Sequence, residues 1–176
     1  MVVVALLAAT SGYFLARSMG TTETPLPAAS LVPKVEDMLG KKRPDFTHEN
    51  LDVDPVSASD FYGRVWLVNF WATWCKPCVD EMQMLSRLHL SDDGQGVQFV
   101  GIALDDPDRA RQFARELSVR YPVLLGRADA VITGRRYGNS TGMLPFSVLV
   151  DDDGLVRWVH LGALERDELI KQISEL

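Results

Sequence analysis

Hydrophobic and polar positions along this chain fall into two kinds of block. Residues 65–71, VWLVNFW, form an almost continuous apolar run rich in β-branched and aromatic types. Such a run suits a strand buried on both faces, at the centre of a sheet. Residues 97–104, VQFVGIAL, make a second run, and 146–151, FSVLVD, a third. The turn Asp152-Asp153-Gly154 then leads into a fourth strand near 155–161, so the last two are predicted to form a hairpin. Between these runs the apolar residues recur at helical spacing over 76–90, 107–118, 129–137 and 165–176, with Pro107 in the first turn of the second helix. Strand, helix, strand, helix, hairpin, helix predicts an α/β sandwich: a mixed central sheet flanked by helices.

The first residues break this pattern. VVVALLAATSGYFLA, residues 2–16, carries no charge and is stopped by Arg17. It lies between a signal-peptide core and a full membrane span in length, and Ala8-Ala9-Thr10-Ser11 makes a poor cleavage site, so residues 1–19 are expected to be an uncleaved signal anchor. Residues 20–42 begin with GTTETPLPAASLVP, a Thr-, Ser- and Pro-rich stretch that reads as a linker, and the folded domain is expected over 43–176.

Composition narrows the function classes. Of 176 residues, 47% are hydrophobic and 24% charged, with a net charge of −6, which fits one globular domain and disfavours a nucleic-acid partner. The arginines between 109 and 136 are interspersed with Glu116 and Asp129 and read as solvated helical surface.

The chemistry concentrates in WATWCKPC, residues 71–78, which holds both cysteines. A structural zinc site wants four Cys or His ligands, and His48, His89 and His160 are scattered singly. A purely structural disulfide closing so short a loop would restrict the unfolded chain little. At a strand-to-helix junction, with Pro77 in the first turn, unpaired N–H groups and the helix dipole favour a thiolate at Cys75, and Lys76 adds positive charge. Cys78 lies one turn on, rotated toward the protein, as a resolving thiol should be. The pattern points to thiol–disulfide exchange, with Cys75 an exposed attacker. An alternative stays open: Met82, Met84 and Met143 with the two thiols offer soft donors for Cu(I), in a copper-binding or copper-delivery module. Glu81 sits three residues past Cys78, on a face shared with Leu85, where burial would raise its pKa and let it exchange a proton with Cys78. Trp71 is expected to pack, and Trp74 to offer an apolar rim beside the thiol as well.

LVNFWATWCKPCVDEMQML resembles the active-site segment of the thioredoxin superfamily, and within it the membrane-anchored TlpA/ResA/CcmG (DsbE) group of thiol-disulfide oxidoreductases. The resemblance runs from about residue 43 to 176. It rests on the strand plus WCxxC, Asn69 six residues before the first cysteine, Glu81 three after the second, and Leu144-Pro145 before a strand. It implies a thioredoxin-like sandwich with an added N-terminal β-hairpin within 44–63. It also implies a cis Leu144-Pro145 bond beside the cysteines, and client contacts from Trp74, Lys76, Pro77, Leu144 and Pro145. No separate cofactor or metal is implied. The implied partners are a disulfide-containing client, apocytochrome c or a copper-site protein, and a membrane thiol donor of the DsbD/CcdA type. With the anchor, the resemblance places the chain at a bacterial inner membrane, its catalytic domain in the periplasm. One departure stands out: the group usually has proline where this chain has Gln83, which puts the usual helix kink in doubt.

Overall fold

The seven-stranded sheet is organised around strand β3 (Trp66–Trp71), every residue of which is buried. The structure, a computed structural model, describes residues 33–94 and 96–176. The anchor expected at 1–19, and the linker as far as residue 32, lie outside the described residues. No helix among the described residues is long and apolar enough to cross a membrane.

The packed chain begins earlier than the boundary expected at 43. A short helix α1 (Val35–Met38) buries Met38, and Gly40 N–H donates to the Val156 carbonyl at 2.8 Å. Residues 35–42 are therefore part of the folded unit rather than linker. Two strands follow, β1 (Thr47–Asn50) and β2 (Pro55–Ser57), paired antiparallel as the implied hairpin. Beyond β3 come α2 (Lys76–His89), β4 (Gln98–Leu104), α3 (Pro107–Glu116), β5 (Val123–Gly126), α4 (Ala128–Arg136), β6 (Phe146–Val150), β7 (Val156–Leu161) and α5 (Arg166–Ser174). The sheet order is β2-β1-β5-β4-β3-β6-β7. Strands β3, β4 and β5 run parallel, whereas β6 is antiparallel to β3 and β7 to β6. The sheet is mixed, as the terminal hairpin predicts.

Alternation along β3 sends its side chains to two cores. Trp66, Val68 and Phe70 pack with Phe46, Phe61, Ala130 and Tyr137 on the face covered by α1, α4 and the stretch 46–61. Leu67 and Trp71 pack with Met82 and Leu85 of α2, Ala110 and Ala114 of α3, and Leu169 and Ile173 of α5. Asn69 shares this second parity, so an amide projects into the buried layer beneath α2. Helix α2 is one α-helix from Lys76 to His89 and passes through the exposed Gln83 without interruption.

Candidate active site

The chain leaves β3 at Trp71 and turns through 72–74 into α2, with Cys75 as the helix N-cap. Asp105, at the end of the neighbouring β4, holds that turn. Its Oδ2 accepts from the Thr73 N–H at 2.9 Å and from the Thr73 hydroxyl, and its Oδ1 accepts from the Asp106 N–H at 2.7 Å. These hydrogen bonds, with Arg109 nearby, hold the Asp105 carboxyl below its ordinary range against the effect of burial, which acts the other way.

Cys75 and Cys78 are joined by a disulfide. The Cys75 sulfur also accepts a hydrogen bond from the Cys78 N–H at 3.3 Å, the kind of contact that would stabilise a thiolate there after reduction. The expectation of an exposed Cys75 needs correction: only 6% of it reaches solvent, against none of Cys78. The order of access still follows the sequence reading, since Cys75 alone presents any surface. Trp74, 66% exposed, lies on the turn just ahead of Cys75, and Met143, 52% exposed, lies on the loop ahead of Pro145, whereas Trp71 is wholly buried. Lys76 and Pro77 are exposed at the helix start, and the Lys76 ammonium pairs with Asp80 at 2.9 Å, so part of its charge is engaged there. The Leu144-Pro145 bond is cis, with Pro145 buried and Leu144 half-buried against both cores.

Glu81 is buried, at 3% exposure. One carboxyl oxygen accepts from the Asn69 amide at 2.7 Å and the other from the Leu164 backbone N–H at 2.8 Å. Burial pushes its pKa up from 4.5 to about 7, while the Leu164 and Asn69 hydrogen bonds hold it lower than burial alone would. A carboxyl that titrates near neutrality, on the same helix face as the buried cysteine, is equipped to give and take a proton at working pH.

The soft donors offered for copper differ in burial, with Met82 in the same core cluster as the two cysteines. Met82 is fully buried in the core, Met84 half-buried against it, Met143 exposed, and the two sulfurs are tied to each other.

Three contributors escaped the sequence reading: Ser147, which accepts from the Asn69 amide at 3.0 Å; the Leu164 N–H; and Asp105 with Thr73. A signal existed for the first. Asn69 and Ser147 are the polar interruptions in two buried apolar strands, and β3 and β6 place them directly opposite one another. Leu164 lies in a loop and acts through its backbone, which its side-chain identity does not announce.

Comparison with known proteins agrees with this geometry. The family model described as AhpC/TSA family matches residues 39–159. Thiol-disulfide oxidoreductase ResA of Bacillus thuringiensis strain Al Hakam is 31% identical over 137 residues, 77% of each chain. ResA of Geobacillus thermodenitrificans is 27% identical over 176 residues, 99% of this chain and 92% of the relative. Among solved structures, a putative thiol:disulfide interchange protein DsbE from Chlorobium tepidum superposes with a TM-score of 0.70 at 29% identity, covering 78% of this chain and 96% of the other. The buried CxxC disulfide at a helix start, the sheet order and these similarities agree: the chain belongs to the AhpC/TSA family and, within it, to the TlpA/ResA/CcmG-like thiol-disulfide oxidoreductases of thioredoxin fold.

Proposed function

We propose that this oxidoreductase works as a reductant of disulfides in partner proteins, on the outer side of a bacterial inner membrane, held there by residues 1–19. The observation that carries the reading is the pairing of a nearly covered Cys75–Cys78 disulfide with Glu81, a carboxyl poised at about 7 behind it. In the reduced protein the Cys75 thiolate, stabilised by the helix N-terminus, attacks one sulfur of the client disulfide, and one client thiolate leaves. Glu81 takes the proton from Cys78. The resulting thiolate attacks the Cys75 sulfur of the mixed disulfide, which forms the Cys75–Cys78 bond and releases the second client thiolate. Two electrons pass to the client, and a membrane thiol donor of the DsbD/CcdA type restores the dithiol.

Trp74, Leu144 and Pro145 supply apolar and backbone contacts around the sulfur that a client must approach, with Lys76 and Pro77 at the rim. Direct attack through so small an opening favours an extended segment over a folded surface, which supports an unfolded client such as the haem-binding cysteines of an apocytochrome c, or the cysteines of a copper-site protein. The ResA and DsbE names of the relatives support the oxidoreductase chemistry; the client is our own assignment. The test replaces Cys78 with Ala, so that mixed disulfides cannot resolve, and offers an oxidised peptide of either client type. Capture of the peptide by the Cys78→Ala protein, abolished by the further change Cys75→Ser, is expected. Absence of capture when the Cys75 thiol still reacts with a small alkylating agent would refute the assignment.

A further inference from the structure

Both oxygens of Glu81 face hydrogen-bond donors: the Leu164 N–H at 2.8 Å and the Asn69 amide nitrogen at 2.7 Å. That arrangement is complete for a carboxylate. For a carboxylic acid it is not, because the oxygen that takes the proton becomes a donor while its partner, the Leu164 N–H or the Asn69 NH2, is a donor too, so the new O–H finds no acceptor among them. The Leu164 N–H is backbone and cannot turn. The Asn69 amide can, since its NH2 and oxygen have nearly the same size and exchange places by a half-rotation.

The other contacts of Asn69 fit this rotation. Its NH2 donates to Ser147 Oγ at 3.0 Å as well as to Glu81, and its Oδ1, though buried, has no partner among the described residues. Ser147 can accept from an NH2 or donate to an oxygen by turning its hydroxyl. After reversal, therefore, Oδ1 accepts from both the Glu81 acid and the Ser147 hydroxyl. The unpartnered place passes from the oxygen to the NH2, so each form leaves one buried end of the amide without a partner, and the ionised form keeps the stronger, charge-assisted bond to Glu81. We propose that the Asn69 amide reverses each time Glu81 gains or loses a proton, which makes Asn69 and Ser147 the positioning pair for the proton that Cys78 gives up and takes back. This rests on the acid–base role assigned to Glu81 above.

The surroundings leave the task to these neutral groups. Among the described residues no charged side chain contributes to the proton affinity of Glu81, which is set by burial, Leu164 and Asn69. Tyr121, the titratable group that feels the Glu81 charge, is kept protonated by its own burial and by that charge. On α2 the neighbouring Cys78 sulfur is held in the disulfide, and on β4 the residue paired with Asn69 is Gly101, which has no side chain.

The test uses the full-length chain in detergent with the disulfide intact, so that neither thiol titrates. Carbon resonances of Glu81 report its proton, and nuclear Overhauser contacts between the Asn69 amide protons and the Ser147 β-protons report the amide. Those contacts should be present at about pH 9 and lost at about pH 5, with the Glu81 midpoint. In Glu81→Gln they should become independent of pH. Asn69→Leu, which removes the donor, should raise the Glu81 midpoint by about one pH unit, a tenfold gain in proton affinity. Contacts that persist while Glu81 titrates, or a midpoint unmoved in Asn69→Leu, would overturn the reversal and leave the acid–base role standing. A Glu81 resonance that does not titrate between about pH 4 and pH 9 would overturn that role and the reversal together.

Discussion

Replacing Glu81 by Gln should change how the stability of the oxidised protein depends on pH. In the unfolded chain the carboxyl titrates at its ordinary 4.5, and in the fold at about 7. The folded state therefore holds the proton more tightly, and at about 1.4 kcal/mol for each tenfold change in affinity the difference is roughly 3 kcal/mol. Stability from this source is complete below 4.5, is lost as the pH rises toward 7, and changes no further above that. Two histidines act in the opposite direction. His48 and His89 are pushed below their ordinary 6.5, mainly by burial, so they cost stability as the pH falls through 6.5 and the unfolded chain gains protons that the fold refuses. The raw profile of the wild-type protein is thus a blend, and the informative quantity is the difference between wild type and Glu81→Gln. Urea unfolding of both proteins, disulfide intact, at intervals from about pH 4.5 to about pH 8 gives that difference with the histidine terms cancelled. It should decline by roughly 3 kcal/mol across the interval, on top of a constant offset from the glutamine amide. Parallel profiles would refute the argument that burial, rather than the two donors, governs this carboxyl.

Other expected outcomes follow from single contacts. Asp105→Ala leaves the Thr73 N–H and hydroxyl and the Asp106 N–H without their acceptor, and urea unfolding should show a loss of about 1–3 kcal/mol, partly restored in Asp105→Asn. The two tryptophans of the motif should separate: Trp71→Ala, in the core, should cost about 3–5 kcal/mol, and Trp74→Ala within about 0.5 kcal/mol of none. Added to Cys78→Ala, the Trp74→Ala change should slow capture of an oxidised client peptide under the proposed function. Gly101→Ala would place a methyl 3.0 Å from both the Trp71 indole nitrogen and a Tyr121 ring carbon, and thermal unfolding should register a loss of about 1–3 kcal/mol.

How much of this was legible in advance depended on the length and contrast of each segment. The runs at 65–71, 97–104 and 146–151 became β3, β4 and β6 because long apolar strands buried on both faces have no other stable place. Strand β5, the four residues Val123–Gly126, is too short to stand out between two helical patterns, and its position at the edge of the parallel trio is a matter of topology. Strands β1 and β2, THEN and PVS, carry almost no apolar signal, and only the family resemblance implied them. Helix α1 falls within the expected linker because four residues beside a proline-rich stretch have no period to show. In the site, Cys75, Cys78 and Glu81 were readable from helical spacing. The partners of Glu81 were not: Asn69 and Ser147 meet through a strand register, and Leu164 through a loop, all contacts made by tertiary structure.

The weakly patterned hairpin has a consequence for the solubility of the domain. Strand β5 is wholly buried, and β1 pairs with it through Glu49 and Asn50. On the α4 side His48 locks β1 in place: its Nδ1 donates to the Asp129 carboxylate at 3.1 Å, and its Nε2 shares a hydrogen bond with the Thr133 hydroxyl at 3.0 Å. Without this cover the sheet would end in an apolar strand with free backbone donors and acceptors, a template for pairing with another molecule. The outer strand β2 begins with Pro55, which has no N–H to offer a newcomer. A chain shortened to start after residue 57 would keep both cysteines and Glu81 yet expose that rim, and should assemble edge to edge into larger species as its concentration rises.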